Sequence, residues 1–482
     1  MWLTIAQSVF NKIRVCITTG GGNIIPLIKR GILTIAALIA EFFLYIGHFI
    51  STEVCIVVIL LLVLAWIIYI KLRYPFWNLQ PVLHTYDQWW RRLFFPNGGI
   101  VDCRTNTKIM KDNKFCDNKN IQTFEMNDAT SQDGETAISE YVRLLQAHYI
   151  SNENISYVIT RKAFDGYFQG HLSSCYFSVL YNPVLSSFSG VGATGGGVIK
   201  DIIGGITSSP AMLFLKNTEY AIKPVDVNYI DYLCVHRDHA HKLLARNLFQ
   251  THERNVRHLS LASIKAPRMV SVFRKETDLC DGVVPMVEYK TNVYYLRNIL
   301  VPPLPPKTML QRAWKNNAHS STFFDFIDDL PAKQVFDVIL LPSSSHMRAA
   351  IANENMFAFV LIHESKLLGV YIFSDLRVVT EGASVTATED GGTIQLSASF
   401  CNVESNAVFF AGFLICLQQI LNINKSFAML HIIDIGHNQQ LLTRWHSSGG
   451  GMPTYSTPAA MYAYNYIHPT IFPVHPSRSF II

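Results

Sequence analysis

The sequence predicts an α/β (α+β) body behind an N-terminal membrane segment, and three observations carry that expectation. Apolar residues run almost unbroken over 32–50 and 54–70. From residue 74 onward, segments of strand periodicity alternate with segments of helical periodicity. A stiff joint, Val301-Pro302-Pro303-Leu304-Pro305-Pro306-Lys307, has mixed strands and helices on both sides, which argues α/β twice over. The expected division is therefore 1–73 as membrane anchor, 74–300 as one half of the body and 301–482 as the other.

The chain has 482 residues, enough for more than one core, since single cores rarely outgrow about 250–300 residues. Its formal charge of +5 is mild and its basic residues form no long tract, so no nucleic-acid partner is expected. The nine cysteines show no CxxC spacing. That supports neither a zinc site nor a disulfide framework, and free thiols in a reducing compartment are the simplest account.

A bilayer core takes about 20 apolar residues per helix. The run 54–70 meets this, with Trp66 and Tyr69 near one end where interfacial aromatics belong. The run 32–50 is long enough but carries Glu41, which is costly in lipid, so either a hairpin or a single membrane helix fits. Lys29 and Arg30 precede the first run and Lys71 and Arg73 follow the second, placing the body on the cytosolic side in both arrangements. Membrane lipid is thus an expected partner.

Next, Tyr74-Pro75-Phe76-Trp77-Asn78-Leu79-Gln80-Pro81-Val82 reads as extended, because two prolines disfavour a helix. Ile138, Tyr141, Leu144, Leu145 and Tyr149 recur at helical spacing over 137–149, and a second helix is expected near 161–169. Cys175 to Tyr181 and Ile203 to Tyr220 read as strands. Gly190 to Gly197 formally contains GxGxxG but lacks a βαβ setting, so a surface loop is expected there. Val227 to Arg237 is a strand rich in β-branched and aromatic residues, feeding a basic helix from Leu243 to about Leu259. Such a junction can hold a phosphate, and it can equally be a buried strand with a solvated basic face. Beyond the joint, Val335–Leu341, Phe357–Ile362 and Leu367–Phe373 read as strands and Phe409–Leu421 as a helix.

Tyr229-Ile230-Asp231-Tyr232-Leu233-Cys234-Val235-His236-Arg237 resembles the Glu-Ile-Asn-Phe-Leu-Cys-Val-His-Lys signature of the glycylpeptide N-myristoyltransferases. Phe76-Trp77-Asn78-Leu79-Gln80-Pro81-Val82 is similar to that family's Phe-Trp-x-Thr-Gln-Pro-Val. The helix holding Leu144 and Leu145, its polar loop and the helix beyond follow the family's order. Tyr462-Ala463-Tyr464-Asn465-Tyr466 resembles its Tyr-Leu-Tyr-Asn-Trp near the chain end. The resemblance spans about residues 74–482.

What the resemblance implies is a pair of tandem acetyltransferase-like (GNAT-type) halves. The first would bind acyl-CoA; the second would carry the peptide site and a catalytic C-terminus. Myristate would pass from myristoyl-CoA to the N-terminal glycine amine of a protein or peptide, with no cofactor beyond the acyl-CoA substrate and no metal. Backbone N–H groups of Tyr232 and Leu233 would form the oxyanion hole, and the terminal carboxylate of Ile482 would be the base. Phe76, Trp77, Cys234, Val235, Arg237, His241 and Lys242 would contact the acyl-CoA. The apolar end Phe480-Ile481-Ile482 suits insertion into a core, where a docked tail without catalysis is the plainer reading.

Departures are local. Ala240-His241-Lys242 stands where the family has an Arg-Ser-Lys-type run, His431 where it has an asparagine, and Trp445 to Gly451 keeps glycines without the family's aspartate. These leave open a catalytically inactive membrane protein of the same fold that binds acyl-CoA or a lipidated peptide.

Overall fold

In the computed structural model, the described residues are 52–103, 113–126, 132–150, 154–182, 201–216, 222–262, 268–280, 282–296, 299–314, 318–380, 391–403, 405–469 and 473–482. The chain divides into two units, Met1–Arg73 and Tyr74–Ile482. In the first, helix α1 (Thr52–Arg73) is apolar around its whole circumference, with Glu53 in its first turn and Lys71 and Arg73 in its last. A helix apolar on every side suits lipid better than a half-buried protein surface. The run 32–50 and the loop Gly190–Gly197 lie outside the described residues.

The second unit is built on one fifteen-stranded sheet among the described residues. Its longest hairpin joins β5 (Ile202–Lys216) and β6 (Ile222–Val235) antiparallel, from Lys216↔Ile222 to Gly204↔Val235. One edge of β5 is shared: β4 (Tyr176–Tyr181) pairs with its first part and β10 (Val338–Pro342) with its second. β6 continues parallel into β7 (Val270–Glu276), which pairs with β15 (Tyr455–Tyr464). From β15 the sheet runs through β8 (Val287–Tyr295), β14 (Phe427–Ile433), β13 (Gly391–Cys401), β12 (Lys366–Thr380), β11 (Met356–His363) and β9 (Thr308–Ala313). Strands β2 (Ile121–Glu125) and β3 (Ile155–Tyr157) add to β4 and β12, while β1 (Gly99–Ile100) and β16 (Tyr466–Ile467) pair separately.

Helices cover this sheet. After the short α2 (Gln88–Phe94) come α3 (Gln132–His148) and α4 (Arg161–Tyr167), which share a core with β4 and β6 through Tyr141, Leu145, Phe164 and Phe177. Helix α5 (Leu244–Ala262) packs Leu248 and Phe249 on Ile203, Ile206 and Tyr462. Helices α6 (Ala318–Asp329) and α7 (Ser344–Ala352) bury Phe323, Ile327 and Met347 against β10 and β11. Helix α8 (Asn406–Ile423) is apolar enough to cross a membrane, yet Phe409, Phe413, Leu417 and Ile420 lie in a core with Trp445 of α9 (Asn438–Ser447). It is a core helix.

One local expectation changes. Residues 74–82 are not extended throughout: Trp77–Leu79 forms a single 3-10 turn. Pro75 and Pro81 lie outside that turn, and the Gln80 N–H closes it on the Trp77 carbonyl at 2.9 Å, so neither proline forbids it. The basic helix starts at Leu244, one residue from its expected start; Arg237–Lys242 before it is a 3-10 turn, and Leu243 adopts a left-handed φ of 59° between the two. The proline-rich joint packs Val301 and Leu304 against the α8 core.

Candidate active site

The β5–β6 ladder breaks in one place. Thr207 faces Asp231 and Gly205 faces Cys234, which sets the two residues Tyr232 and Leu233 against the single residue Ile206. This is a β-bulge, and bulges re-aim backbone groups beside sites. Tyr232 has a φ of 53°, uncommon for a bulky side chain and sustained only where neighbours fix it. The Tyr141 hydroxyl donates to the Tyr232 carbonyl at 2.5 Å. The Tyr232 N–H donates to Oδ1 of Asp231 at 2.8 Å, and the Thr207 hydroxyl to the Asp231 carbonyl at 3.1 Å. Gly205 makes room for this clamp, since a Cβ there would lie 2.1 Å from the Tyr141 ring.

The bulge opens on a cavity of about 880 Å³. One limb is aromatic: Phe76, Trp77, Phe249 and Phe273 line it. Trp77 stacks on Phe273 with ring centres 5.6 Å apart, and Phe76 is buried beside Phe249. The other limb is polar, with Ser374, Asp375, Gln395, Ser397 and His431 in its wall. There the His431 Nδ1 meets Gln395 Oε1 at 2.9 Å, Gln395 Nε2 donates to Ser397 at 3.0 Å, and Ser397 meets Ser374 at 3.0 Å. Tyr232, Leu233 and Ile482 line the same cavity.

The chain end reaches this wall as a strand. β17 (Ser479–Ile481) pairs parallel with β10, Ile481 facing Leu340, and the Ile482 N–H donates to the Leu340 carbonyl at 3.1 Å. Phe480 is buried against Phe326 and Phe336, so an apolar side chain holds the tail in place.

Burial sets the electrostatics. It pushes the Asp231 carboxyl up, while its bonds from the Tyr232 N–H and the Tyr167 hydroxyl (3.0 Å) and the Arg274 charge pull it down. Burial also acts to lower the Arg274 guanidinium, but Tyr289 and the neighbouring Glu276 hold it charged. The His431 imidazole is pushed down to about 3, by burial first and by the Arg274 charge second, so it is neutral at pH 7. His171, stacked on His346 in the same wall, falls to about 3 for the same first reason.

Of the residues the sequence pointed to, Phe76, Trp77, Tyr232, Leu233 and Ile482 come together at this cavity. Cys234 and Val235 are not in its wall. The Cys234 side chain is buried among Tyr141 and Leu144 with its thiol pushed up to about 12 by burial. Arg237 donates to the Ile150 carbonyl at 2.6 Å, tying the turn to the end of α3, and the His236 ring lies 3.9 Å from that of His148. His241 and Lys242 fall in the same 3-10 turn. Arg246 of α5 does line the cavity, 6.0 Å above the Phe76 ring.

Sequence reasoning passed over the Asp231–Tyr141–Gly205 clamp and the His431–Gln395–Ser397 chain. The available signal was a carboxylate, Asp231, set among Tyr229, Ile230, Tyr232 and Leu233. Among the described residues no group of three or more His, Cys, Asp or Glu could hold a metal ion.

No protein-family model matches the chain, and no curated protein matches its sequence. Solved structures do match. A structure of Saccharomyces cerevisiae N-myristoyltransferase with bound myristoyl-CoA superposes with a TM-score of 0.57 at 14% identity, covering 84% of this chain and 91% of that one. A second structure of that yeast enzyme with myristoyl-CoA gives 0.58 at 14% identity, over 83% and 94%. A third, which also contains inhibitors, gives 0.55 at 14% identity, over 85% and 96%. The mixed sheet and its covering helices in Tyr74–Ile482 thus have the fold of N-myristoyltransferase.

Proposed function

We propose that the protein is a divergent, membrane-anchored N-myristoyltransferase, moving myristate from myristoyl-CoA to the N-terminal glycine amine of protein substrates. The observation that carries this reading is the single cavity shared by an aromatic slot, a strand bulge and the chain's own C-terminus. The aromatic wall of Phe76, Trp77 and Phe273 suits an acyl chain, and Arg246, which lines the same cavity, suits a CoA phosphate. The yeast structures have myristoyl-CoA bound, which supports the same donor here.

The reaction needs an amine without its proton and an oxygen that can bear charge. The Ile482 carboxylate takes a proton from the glycine ammonium, freeing its lone pair to attack the thioester carbon. Backbone N–H groups of Tyr232 and Leu233 would receive the oxygen as it becomes anionic, on a backbone that the Tyr141 hydroxyl holds at the Tyr232 carbonyl. The C–S bond then breaks, the sulfur takes the excess proton that the attacking nitrogen sheds, and CoA leaves as its thiol. Residues 74–300 would bind the acyl-CoA, and 301–482 would supply the peptide limb and the base. Helix α1, with Lys71 and Arg73 after its apolar run, would hold the body at the cytosolic face of a membrane.

A second reading is an inactive acyl-CoA or lipidated-peptide binding protein of the same fold. It is favoured by Asp231 occupying the Tyr232 N–H and by Arg237 being engaged at Ile150. Incubating the intact protein with a series of acyl-CoAs and a glycine-initiated peptide, then weighing the peptide by mass spectrometry, separates the two. Acylated peptide supports the enzyme; tight acyl-CoA binding without product supports the binder.

A further inference from the structure

We propose that Asp231 governs the oxyanion site, holding the Tyr232 N–H until the thioester oxygen displaces it, so that transfer requires Asp231 in its neutral form. The inference rests on the acyltransferase reading above and adds a residue that reading does not use.

The geometry is a competition for one donor. The Tyr232 N–H has an acceptor already, Oδ1 of Asp231 at 2.8 Å, and the second carboxyl oxygen takes the Tyr167 hydroxyl at 3.0 Å. Asp231 lines the cavity beside Tyr232 and Leu233. A thioester oxygen that gains negative charge during attack meets a carboxylate bonded to the same N–H. Two anions sharing one donor repel, and in a desolvated site that repulsion is weakly screened. A proton on Asp231 removes the repulsion and weakens its hold on Tyr232. The backbone does not follow the carboxyl when it lets go, because Tyr141 fixes the Tyr232 carbonyl and Thr207 fixes the Asp231 carbonyl. The strained φ of Tyr232 is therefore kept by bonds that the reaction leaves intact.

The groups around Asp231 agree with a carboxyl that can take a proton. Tyr141 and Tyr149 face it from α3 and its end, Tyr157 from β3 and Tyr167 from α4, while Tyr229 and Tyr232 flank it on its own strand. Arg274 and Glu276 of β7 supply the nearby charges, and they pair with each other. Burial is the largest influence on Asp231 and raises it. In the balance of the reaction the Asp231 proton stays where it is. The nitrogen gives one proton to Ile482 as it becomes a free amine and passes the second, which it still carries after attack, to the departing sulfur, while the oxygen carries charge only until the C–S bond breaks.

The test is the pH profile of kcat with myristoyl-CoA and a glycine-initiated peptide, for the full chain and for Asp231→Asn. Asparagine keeps an oxygen for the Tyr232 N–H but bears no charge. The wild type is expected to rise and then fall with pH, as Ile482 must be ionised and Asp231 neutral. Asp231→Asn loses the descending limb and exceeds the wild type at the alkaline end by about 10²-fold, the effect of regaining one oxyanion donor. Tyr167→Phe removes a donor to the anion, so its descending limb moves to higher pH. A carbonyl-labelled myristoyl-CoA read by infrared spectroscopy gives a second readout, its bound C=O band shifting further in Asp231→Asn than in the wild type at alkaline pH. Identical profiles and identical bands overturn the role of Asp231 while leaving the enzyme reading intact. Absence of turnover in both proteins overturns the enzyme reading and the proposal with it.

Discussion

The backbone N–H of Ile482 donates to the carbonyl of Leu340 at 3.1 Å, fixing the last residue of the chain to the strand that borders the cavity. A chain end is ordinarily frayed and solvated. Here Phe480 is sunk between Phe326 and Phe336, and Ile482 lines the same cavity as Tyr232. Extending the chain past Ile482 should move or mask that carboxylate. A short C-terminal extension is expected to lower kcat by about 10²–10⁴-fold, the usual worth of a general base, with the Kd for myristoyl-CoA unchanged. Comparing turnover and binding for tagged and native proteins checks this.

Gly205 and Tyr141 form a packing pair that supports the bulge. Gly205→Ala puts a methyl into the Tyr141 ring and should destabilise the body by about 1–3 kcal/mol, as overpacking does. Tyr141→Phe strips the Tyr232 carbonyl of its buried donor, with a similar expected loss of about 1–3 kcal/mol. Chemical denaturation of the two variants, with myristoyl-CoA turnover measured alongside, tests whether stability and activity fall together.

The aromatic slot gives a binding prediction. Trp77 contributes one face of it, stacked on Phe273. Trp77→Ala removes the apolar area an acyl chain would cover, and the Kd for myristoyl-CoA should rise by about tenfold or more. Free CoA, which has no acyl chain, should bind both proteins alike in calorimetry.

Acid should destabilise the protein through buried histidines. His252 of α5, bonded to Ser178 at 2.8 Å, is pushed down to about 3 by burial, as is His431. Each folded value lies below the unfolded one, so the unfolded chain binds more protons as the pH falls from about 6.5. Stability is full above that pH and is lost progressively toward pH 3. Thermal unfolding between pH 7 and pH 5 should show a falling midpoint, and His252→Gln should flatten the fall.

Much of this architecture was legible in the chain. Strands β6, β10, β11 and β12 announce themselves by β-branched and aromatic content, and helices α3 and α8 by their apolar spacing, because those signals are local. The docked tail was legible too, since Phe480-Ile481-Ile482 is too apolar for a solvated end. The bulge was not. It depends on Gly205, beside the break in the β5–β6 register, which admits a tyrosine from α3, and such a relation has no periodicity. One part of the phosphate-binding expectation was the charge of Arg237, and a carbonyl just past α3, that of Ile150, claims that guanidinium, a contact no local pattern announces. The Trp77–Leu79 turn escaped because proline statistics describe the residues beside proline, not the stretch between two of them.

CoA thiol release from myristoyl-CoA by the intact protein, with and without a peptide that begins with glycine, decides between enzyme and binder. Thiol should appear only with the peptide, in equal amount to N-myristoylated product, and should vanish when the glycine amine is acetylated. No peptide-dependent release, from a protein that binds myristoyl-CoA, would contradict the enzyme reading.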